Sequence, residues 1–403
     1  MPKRSLRDVE VKGRRVLVRV DFNVPLNEEG EITDDRRIRA SLPTLRYILE
    51  GKGKAILISH LGRPKGKPSR FLSLRSVAMR LGKFLDKEVL FEEDCIGEGV
   101  EKTIQKMGEG ECLLLENLRF HPEEEMNDPE FSRKLSNWGD LYVNDAFGTS
   151  HRAHASMDGV PHFFDLRVAG FLLEKEMEYL GRILENPEGP FVLIFGGAKI
   201  SDKLGLIENL LQKADKVLIG GGMALTFLKS QGIDVGKSLM EEEMIENAKE
   251  ILRKAGREEV TLLLPIDCVV VNSGEVTPEI IHLERKVVGV EAIPESWMSL
   301  DIGPLTRRIF AEALRGAKTI CWNGPLGVFE LEPFASGTQA VAYALALETE
   351  KGAVTVLGGG DTGAACEKFG YSEKMSHIST GGGAFLEFLA GKRLPGITVL
   401  SDR

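Results

Sequence analysis

Short runs of apolar residues rich in Val, Ile and Leu recur along the chain, at residues 16–20, 55–59, 112–115, 141–143, 191–195, 217–219, 261–264, 319–322 and 354–357. They do not alternate apolar with polar positions, which predicts strands covered on both faces. Between many of them, residues 38–49, 74–85, 204–211, 244–255, 305–314 and 338–347 carry apolar side chains three and four apart, the pattern of amphipathic helices. Strand alternating with helix predicts an α/β fold with largely parallel sheets. Residues 170–184 predict one further helix, with Leu172, Leu173, Met177, Leu180 and Leu184 along its apolar side. A short polar stretch with two prolines follows, and a new buried strand begins at Phe191. The expectation is two α/β domains of similar size, residues 1–170 and 190–388, joined by a helix and hinge at 171–189.

The 403 residues are enough for two or three domains. They hold 52 Lys+Arg against 61 Asp+Glu, a net charge of −9. That balance argues against a general nucleic-acid binder. It hides a polarised chain, because residues 1–80 hold 19 Lys/Arg against 9 Asp/Glu and the rest hold 33 against 52. Such a chain still focuses an anionic ligand. The five cysteines, Cys95, Cys112, Cys268, Cys321 and Cys366, include no C-x-x-C pair. They suit small core residues in a reducing compartment. The basic start lacks an apolar signal core, and no run of membrane-spanning length exists. A cytoplasmic protein with no membrane or nucleic-acid partner is expected, by default a monomer.

Ligands of open parallel sheets bind beyond the carboxyl ends of the strands. After the first-half runs come Asp21-Phe22-Asn23, His60-Leu61-Gly62-Arg63-Pro64, Glu116-Asn117-Leu118-Arg119-Phe120 and Asn144-Asp145-Ala146-Phe147, with His151-Arg152-Ala153-His154 shortly after. Arginine forks suit a carboxylate or phosphate. With Arg19 on a strand and Arg36 opening a helix, this half reads as a small-anion pocket. After the second-half runs come Gly196-Gly197-Ala198-Lys199, Gly220-Gly221-Gly222, Asn323-Gly324-Pro325 and Gly358-Gly359-Gly360-Asp361. Glycine lets backbone N–H groups approach phosphates, and a following helix N-terminus adds its dipole. This half reads as a nucleotide site. The segment Gly232-Ile233-Asp234-Val235-Gly236-Lys237-Ser238 resembles a P-loop but is one residue short between its glycines and follows a helical pattern. No G-x-G-x-x-G follows the first strand, which disfavours a dinucleotide-binding dehydrogenase. His151 and His154 have no further ligand near in sequence, so no metal site is expected there.

Taken in order, these motifs resemble phosphoglycerate kinase. They run from Val20-Asp21-Phe22-Asn23-Val24-Pro25 through Asp35-Arg36-Arg37-Ile38-Arg39 and the strand-end motifs above to Ser379-Thr380-Gly381-Gly382-Gly383. The second half adds Gly196-Gly197-Ala198-Lys199-Ile200-Ser201-Asp202-Lys203, Trp322-Asn323-Gly324-Pro325 and Gly359-Gly360-Asp361-Thr362. The resemblance implies two Rossmann-like domains facing each other across a cleft, with residues 389–403 returning to the first. It implies 3-phosphoglycerate on Asp21, Asn23, Arg36, His60, Arg63, Arg119 and Arg152. It implies ATP or ADP with Mg2+ on Gly197, Lys199, Lys203, Gly221, Gly222, Asn323, Pro325, Glu330, Gly359, Gly360, Asp361 and Thr362, with Asp361 toward the metal. Arg36, Lys199, Lys203, Gly381 and Gly382 would be the catalytic set, stabilising the charge of the transferred phosphoryl. The acceptor carboxylate is already ionised, so no general base is needed and positioning carries the catalysis.

Ser299 stands where the family often has Gly, and residues 269–284 match nothing in it and read as a surface excursion. Two other classes stay open on sequence: a ligase that uses an acyl phosphate, and a non-catalytic two-lobed anion binder. The first needs a third substrate. The second would not need Lys199, Lys203 and Asp361 together.

Overall fold

The computed structural model describes residues 3–403. They form two compact units, one running to Glu178 and taking back Arg393–Arg403, the other Tyr179–Lys392. The boundaries differ from the expected 170, 189 and 389. The division falls inside a single helix, which begins in the first unit and ends in the second.

The first unit is a six-stranded parallel sheet of β1 (Arg15–Val20), β2 (Lys54–Ile58), β3 (Val89–Phe91), β4 (Cys112–Leu114), β5 (Leu141–Asp145) and β6 (Arg167–Ala169), in the order β3-β4-β2-β1-β5-β6. Helices α1 (Arg36–Glu50), α2 (Arg75–Leu85), α3 (Glu98–Lys106), α4 (Pro122–Glu125), α5 (Pro129–Ser136) and α6 (Phe171–Glu185) follow in chain order. Val16, Val18, Val20, Leu57, Leu114 and Val143 join Ile38, Leu45 and Ile48 of α1 in the core. Burying both faces of these strands is why their sequence does not alternate. The register pairs Arg19 with both Ile58 and Asn144, and Val20 with Asp145. The segments after β1, β2 and β5 therefore leave the sheet at one edge.

The second unit repeats the plan. Strands β7 (Phe191–Phe195), β8 (Lys216–Ile219), β9 (Thr261–Leu263), β13 (Thr319–Asn323), β14 (Val354–Gly358) and β15 (His377–Ile378) make a parallel sheet ordered β15-β14-β13-β7-β8-β9. Its helices are α7 (Leu204–Leu210), α8 (Gly221–Ser230), α9 (Ile245–Arg257), α10 (Pro304–Leu314), α11 (Ser336–Glu350), α12 (Gly360–Lys368) and α13 (Gly382–Leu389). Asn323 pairs with both Phe195 and Gly358, which sets the glycines after β7, β13 and β14 at one edge. The expected surface excursion at 269–284 needs correcting only at its start. An antiparallel sheet, β10 (Asp267–Val271), β11 (Arg285–Gly289) and β12 (Met298–Ile302), takes in the first three residues of that segment, while 272–284 run outside it and are mostly exposed apart from Ile280. Val270 and Val271 are fully buried in it, in two small cores with Trp297 and Phe334. A last helical turn, α14 (Pro395–Thr398), belongs to the first unit. All five cysteines are buried free thiols, and among the described residues no helix is long and apolar enough to cross a membrane.

Candidate active site

In the first unit the chain carries arginines to the sheet edge from several directions. Arg19 is the penultimate residue of β1 and only 1% exposed. It donates from Nε to the Ser156 hydroxyl at 2.8 Å, from Nη1 to the Val20 carbonyl, and from Nη2 to His60 Nδ1 at 3.2 Å. Arginine has no acceptor, so His60 Nδ1 accepts and the ring proton sits on Nε2. Burial holds the His60 imidazole well below its ordinary range, reinforced by the charges of Arg19, Arg119, Arg37 and Arg152. It is therefore neutral, with its Nε2–H as donor. His154 is pushed down to about 4 by burial and by Arg119, Arg152 and Arg19.

Asp21, 4% exposed, accepts from Arg37 Nη1 on both oxygens at 3.1 and 3.0 Å. Asn23 Oδ1 accepts from the Gly62 amide at 2.8 Å, and the Gly62 carbonyl accepts from Arg119 Nη1 at 2.8 Å. Gly62 has φ +63°, so glycine suits this turn. The loop that carries Arg63 is thus held from both sides while the Arg63 side chain stays exposed. Burial lowers the Arg119 guanidinium from its ordinary value, with Glu125 opposing. A patch this rich in buried cationic donors suits a small multivalent anion.

The second unit holds a cavity of about 300 Å³. Leu225, Met298, Leu300, Leu326 and Val328 supply its apolar wall, and Gly197, Gly221, Gly222 and Pro325 line another part. The polar groups at it include Ser299, Glu330 and Asp361. Its floor is the point where the strand order reverses, between β7 and β13, the usual place for a ligand. There the Gly197 amide donates to the Pro325 carbonyl at 2.7 Å and the Gly196 amide to Asn323 at 2.9 Å. A Cβ at Gly196 would lie 2.1 Å from the Pro325 carbonyl oxygen, so only glycine fits. Gly221, φ +63°, opens α8 at the cavity, where its amide donates to the Leu326 carbonyl at 3.2 Å.

Lys203, 8% exposed, lies with Nζ 3.3 Å from where a Gly197 Cβ would be. Burial lowers its ammonium from the ordinary lysine value, opposed by Asp202, Asp361 and Glu241. Thr362 Oγ1 accepts from the Gly324 amide at 2.8 Å and braces the floor beside Asn323. Asp361 is exposed in the first turn of α12, a hard oxygen donor open to a divalent cation.

A sequence model of the family described as phosphoglycerate kinase matches residues 6–392. A phosphoglycerate kinase of Pelotomaculum thermopropionicum is 54% identical over 403 residues, covering all of both chains. One of Chlorobium phaeobacteroides is 54% identical over 404 residues, again with full coverage. The solved structure of the Coxiella burnetii phosphoglycerate kinase superposes with a TM-score of 0.87 at 42% identity, covering 99% of this chain and 98% of that one. The Pyrococcus horikoshii structure gives 0.85 at 36% identity, covering 98% of each.

The chain belongs to the phosphoglycerate kinase family.

Its members are kinases, and the arginine-rich patch and the glycine-lined cavity lie in different units of this phosphoglycerate kinase fold. Asp21, Asn23, His60, Arg119 and Arg152 are brought together in the first unit, since they share hydrogen bonds or act electrostatically on one another. Arg36 stands at the start of α1. It pairs with Asp34, Nη2 to Oδ2 at 2.5 Å, while its neighbour Arg37 takes Asp21 and adds its charge at His60. Adjacent helical residues point about 100° apart, which sends the two guanidinium groups to different carboxylates. In the second unit Gly197, Gly221, Gly222, Pro325, Glu330 and Asp361 line the cavity. Lys203, Asn323 and Thr362 lie beside its floor, with Gly359 against Asn323 and Thr362. Gly360 opens α12, and Gly381 and Gly382 stand at the N-terminus of α13. Lys199 is exposed on the loop after Gly197.

Sequence reading missed Arg37, Ser156, Glu124 and Glu241. Glu241 binds that lysine-bearing loop, accepting from the Ile200 amide at 2.5 Å and the Ser201 hydroxyl at 2.5 Å. Nothing in its acidic surroundings, Glu241-Glu242-Glu243, distinguishes it from solvated neighbours. Ser299, the departure from the family pattern, lines the cavity, and its amide is held by the Ser238 hydroxyl at 2.9 Å.

Proposed function

We propose that this chain catalyses reversible transfer of the γ-phosphoryl of ATP to the carboxylate of 3-phosphoglycerate, giving 1,3-bisphosphoglycerate and ADP, as a glycolytic enzyme of the cytoplasm. The observation that carries the reading is the split in chemistry: four arginine charges acting on one buried His60 in the first unit, and a glycine-floored cavity in the second. The relatives' printed name supports the same pair of substrates.

The substrate phosphate is taken by His60 Nε2–H and by Arg63, Arg119 and Arg152. Asp21 and Asn23 serve the substrate hydroxyl, and Arg37, held by Asp21, meets the carboxylate and the charge of the transition state. Arg36 supports the start of α1 from its pair with Asp34. In the second unit the adenine lies against the apolar wall and the ribose hydroxyls on Glu330. Gly221 and Gly222 border the adenine, and the amide end of α13 at Gly381 and Gly382, with Lys199 and Lys203, receives the phosphates. The carboxylate of Asp361 fits a hard divalent cation, and Mg2+ bound there with the nucleotide would offset phosphate charge. No residue needs to take a proton, since the acceptor is ionised at neutral pH.

Substrates held by separate units must be brought together before transfer, so a closing motion is part of the proposal. Scattering with both substrates bound is expected to give a smaller radius of gyration than with either alone. The decisive assay couples 1,3-bisphosphoglycerate formation to a dehydrogenase, with MgATP and 3-phosphoglycerate as the only substrates. Turnover without a third substrate supports the kinase and excludes the ligase. Binding of both compounds with no product would leave the binding protein and overturn the reading.

A further inference from the structure

Glu124 of α4 is fully buried, and among the described residues its carboxylate is engaged by one residue, Ser156. The Ser156 amide donates to Oε2 at 2.9 Å and the hydroxyl to Oε1 at 2.6 Å. The Ser156 carbonyl accepts from the Tyr142 hydroxyl at 2.8 Å, so the serine is fixed on three sides. A hydroxyl has one proton. Spent on Glu124, it leaves a lone pair for Arg19 Nε at 2.8 Å. Arg19 Nη2 then donates to His60 Nδ1 at 3.2 Å. All four residues are at most 3% exposed, so water competes with none of these bonds. Such chains strengthen one another in a low-dielectric interior.

The electrostatics call for this carboxylate. Arg19 lies buried among the charges of Arg37, Arg119 and Arg152, which all act on His60. Burial raises the Glu124 carboxyl above its ordinary value, and Arg19 heads the influences that hold it down. The charge of Arg19 is thus offset through one intervening hydroxyl, which leaves its Nη2 free to face the imidazole. His60 Nε2–H makes no hydrogen bond to protein among the described residues, so that donor is left for a ligand.

We propose that Glu124 is a positioning residue for the phosphate-bearing substrate: acting through Ser156 and Arg19, it holds His60 as the Nε2–H tautomer, ready to donate to the phosphate. What His60 touches rests on the phosphotransfer reading above; the relay itself does not. Glu124→Gln removes the charge at constant size, and Ser156→Ala cuts the link while leaving Glu124 in place. The first readout is ¹⁵N NMR of the free enzyme, with the His60 signals assigned against His60→Gln. The wild type is expected to show a protonated Nε2 and a bare Nδ1, and both variants a mixture of tautomers. The second readout is kinetic. Both variants are expected to raise KM for 3-phosphoglycerate about tenfold and leave KM for MgATP within twofold, and Glu124→Asp, which keeps the charge, to recover much of the loss.

Unchanged tautomer signals with unchanged KM would overturn the proposal. So would a fall in kcat alone that tracks a smaller folded fraction, since that is a purely structural role. If Glu124→Gln does not fold, Ser156→Ala carries both readouts. If the wild type fails to turn over 3-phosphoglycerate, the functional reading falls, and the NMR arm still decides the relay.

Discussion

Arg36 and Arg37 are adjacent arginines with opposite fates. Arg37 spans 3.0–3.1 Å to both oxygens of a nearly buried Asp21, whereas Arg36 pairs with Asp34 where both side chains are about a third exposed. Charge-assisted bonds to a buried partner are worth about 1.5–3 kcal/mol, and exposed pairs about 0–1 kcal/mol. Arg37→Ala is therefore expected to lower kcat/KM for 3-phosphoglycerate by about ten- to a hundredfold or more. Arg36→Ala should stay within about threefold. Steady-state kinetics of the two variants side by side would check this, and equal losses would return Arg36 to the site. The presence of arginine was legible in the sequence. Its direction was not, because helix phase relative to the sheet is set by packing of Ile38, Leu45 and Ile48 into the core.

At the level of elements, the start of α6 and the floor between β7 and β13 carry the sharpest constraints. Asp145 ends β5 and accepts from the Leu172 amide at 2.9 Å, capping α6. A Cβ at Gly170 would sit 2.3 Å from its Oδ1, so the approach needs glycine. Burial pushes the Asp145 carboxyl up to about 7. Its folded value then exceeds the unfolded one, so its contribution to stability is full below about pH 4 and is lost as pH rises to about 7. Asp145→Asn keeps an acceptor oxygen and has no charge to bury. Its stability relative to wild type should climb between pH 4 and 7 and stay level above, as read from denaturant midpoints across pH. A flat difference would show that Asp145 does not titrate in this range. At the floor, Gly196→Ala would drive a methyl group into the Pro325 and Gly324 carbonyl oxygens, at 2.1 and 2.5 Å. Overpacking of this kind costs about 1–3 kcal/mol or more. The expected result is a lower melting temperature and a raised KM for ATP, with KM for 3-phosphoglycerate near wild type. The glycines themselves were plain in the sequence, but which of them meet across the switch point follows from the order β13-β7-β8.

At the level of the whole molecule, the last eleven residues are integral to the first unit. Arg4 donates to the Ser401 carbonyl at 2.9 Å, Asn144 to the Gly396 carbonyl at 2.8 Å, and Ser401 to the Arg167 carbonyl at 2.9 Å. Leu394, Val399 and Leu400 are buried there. Burying each such side chain stabilises by roughly 1.5–3 kcal/mol. A chain ending at Lys392 is expected to lose amide protection in β5 and β6 and to unfold the first unit at lower denaturant, while the second unit keeps its midpoint. Hydrogen exchange read segment by segment would check it, and uniform loss across both units would refute it. Residue patterning alone placed a boundary near the middle of the chain and gave no sign of this return, which came from the family resemblance. No local period encodes where a terminus docks.

Every expected strand corresponds to an observed one, because strands covered on both faces must be apolar at consecutive positions, a constraint written locally; β9, at the sheet edge with no buried residue, is the one expected to be covered that is not. Of the strands not expected, β3, β6 and β15 are two or three residues long and β11 is mostly exposed, but β10 and β12 are five residues long and largely buried, and polar Asp267, Ser299 and Asp301 interrupt their apolar runs. The chemical division was local too: arginine and histidine after the first-half strands, glycine after the second-half ones. The tertiary structure alone decided which groups act together. Glu124 and Glu241 look like any surface carboxylate in the sequence, and only long-range packing puts one behind Arg19 and the other behind the Lys199 loop. Residue type and spacing follow from the chain itself. Direction, burial and the sharing of a proton depend on neighbours 32 and 41 residues away in the chain, and are fixed only when the sheets bring them into contact.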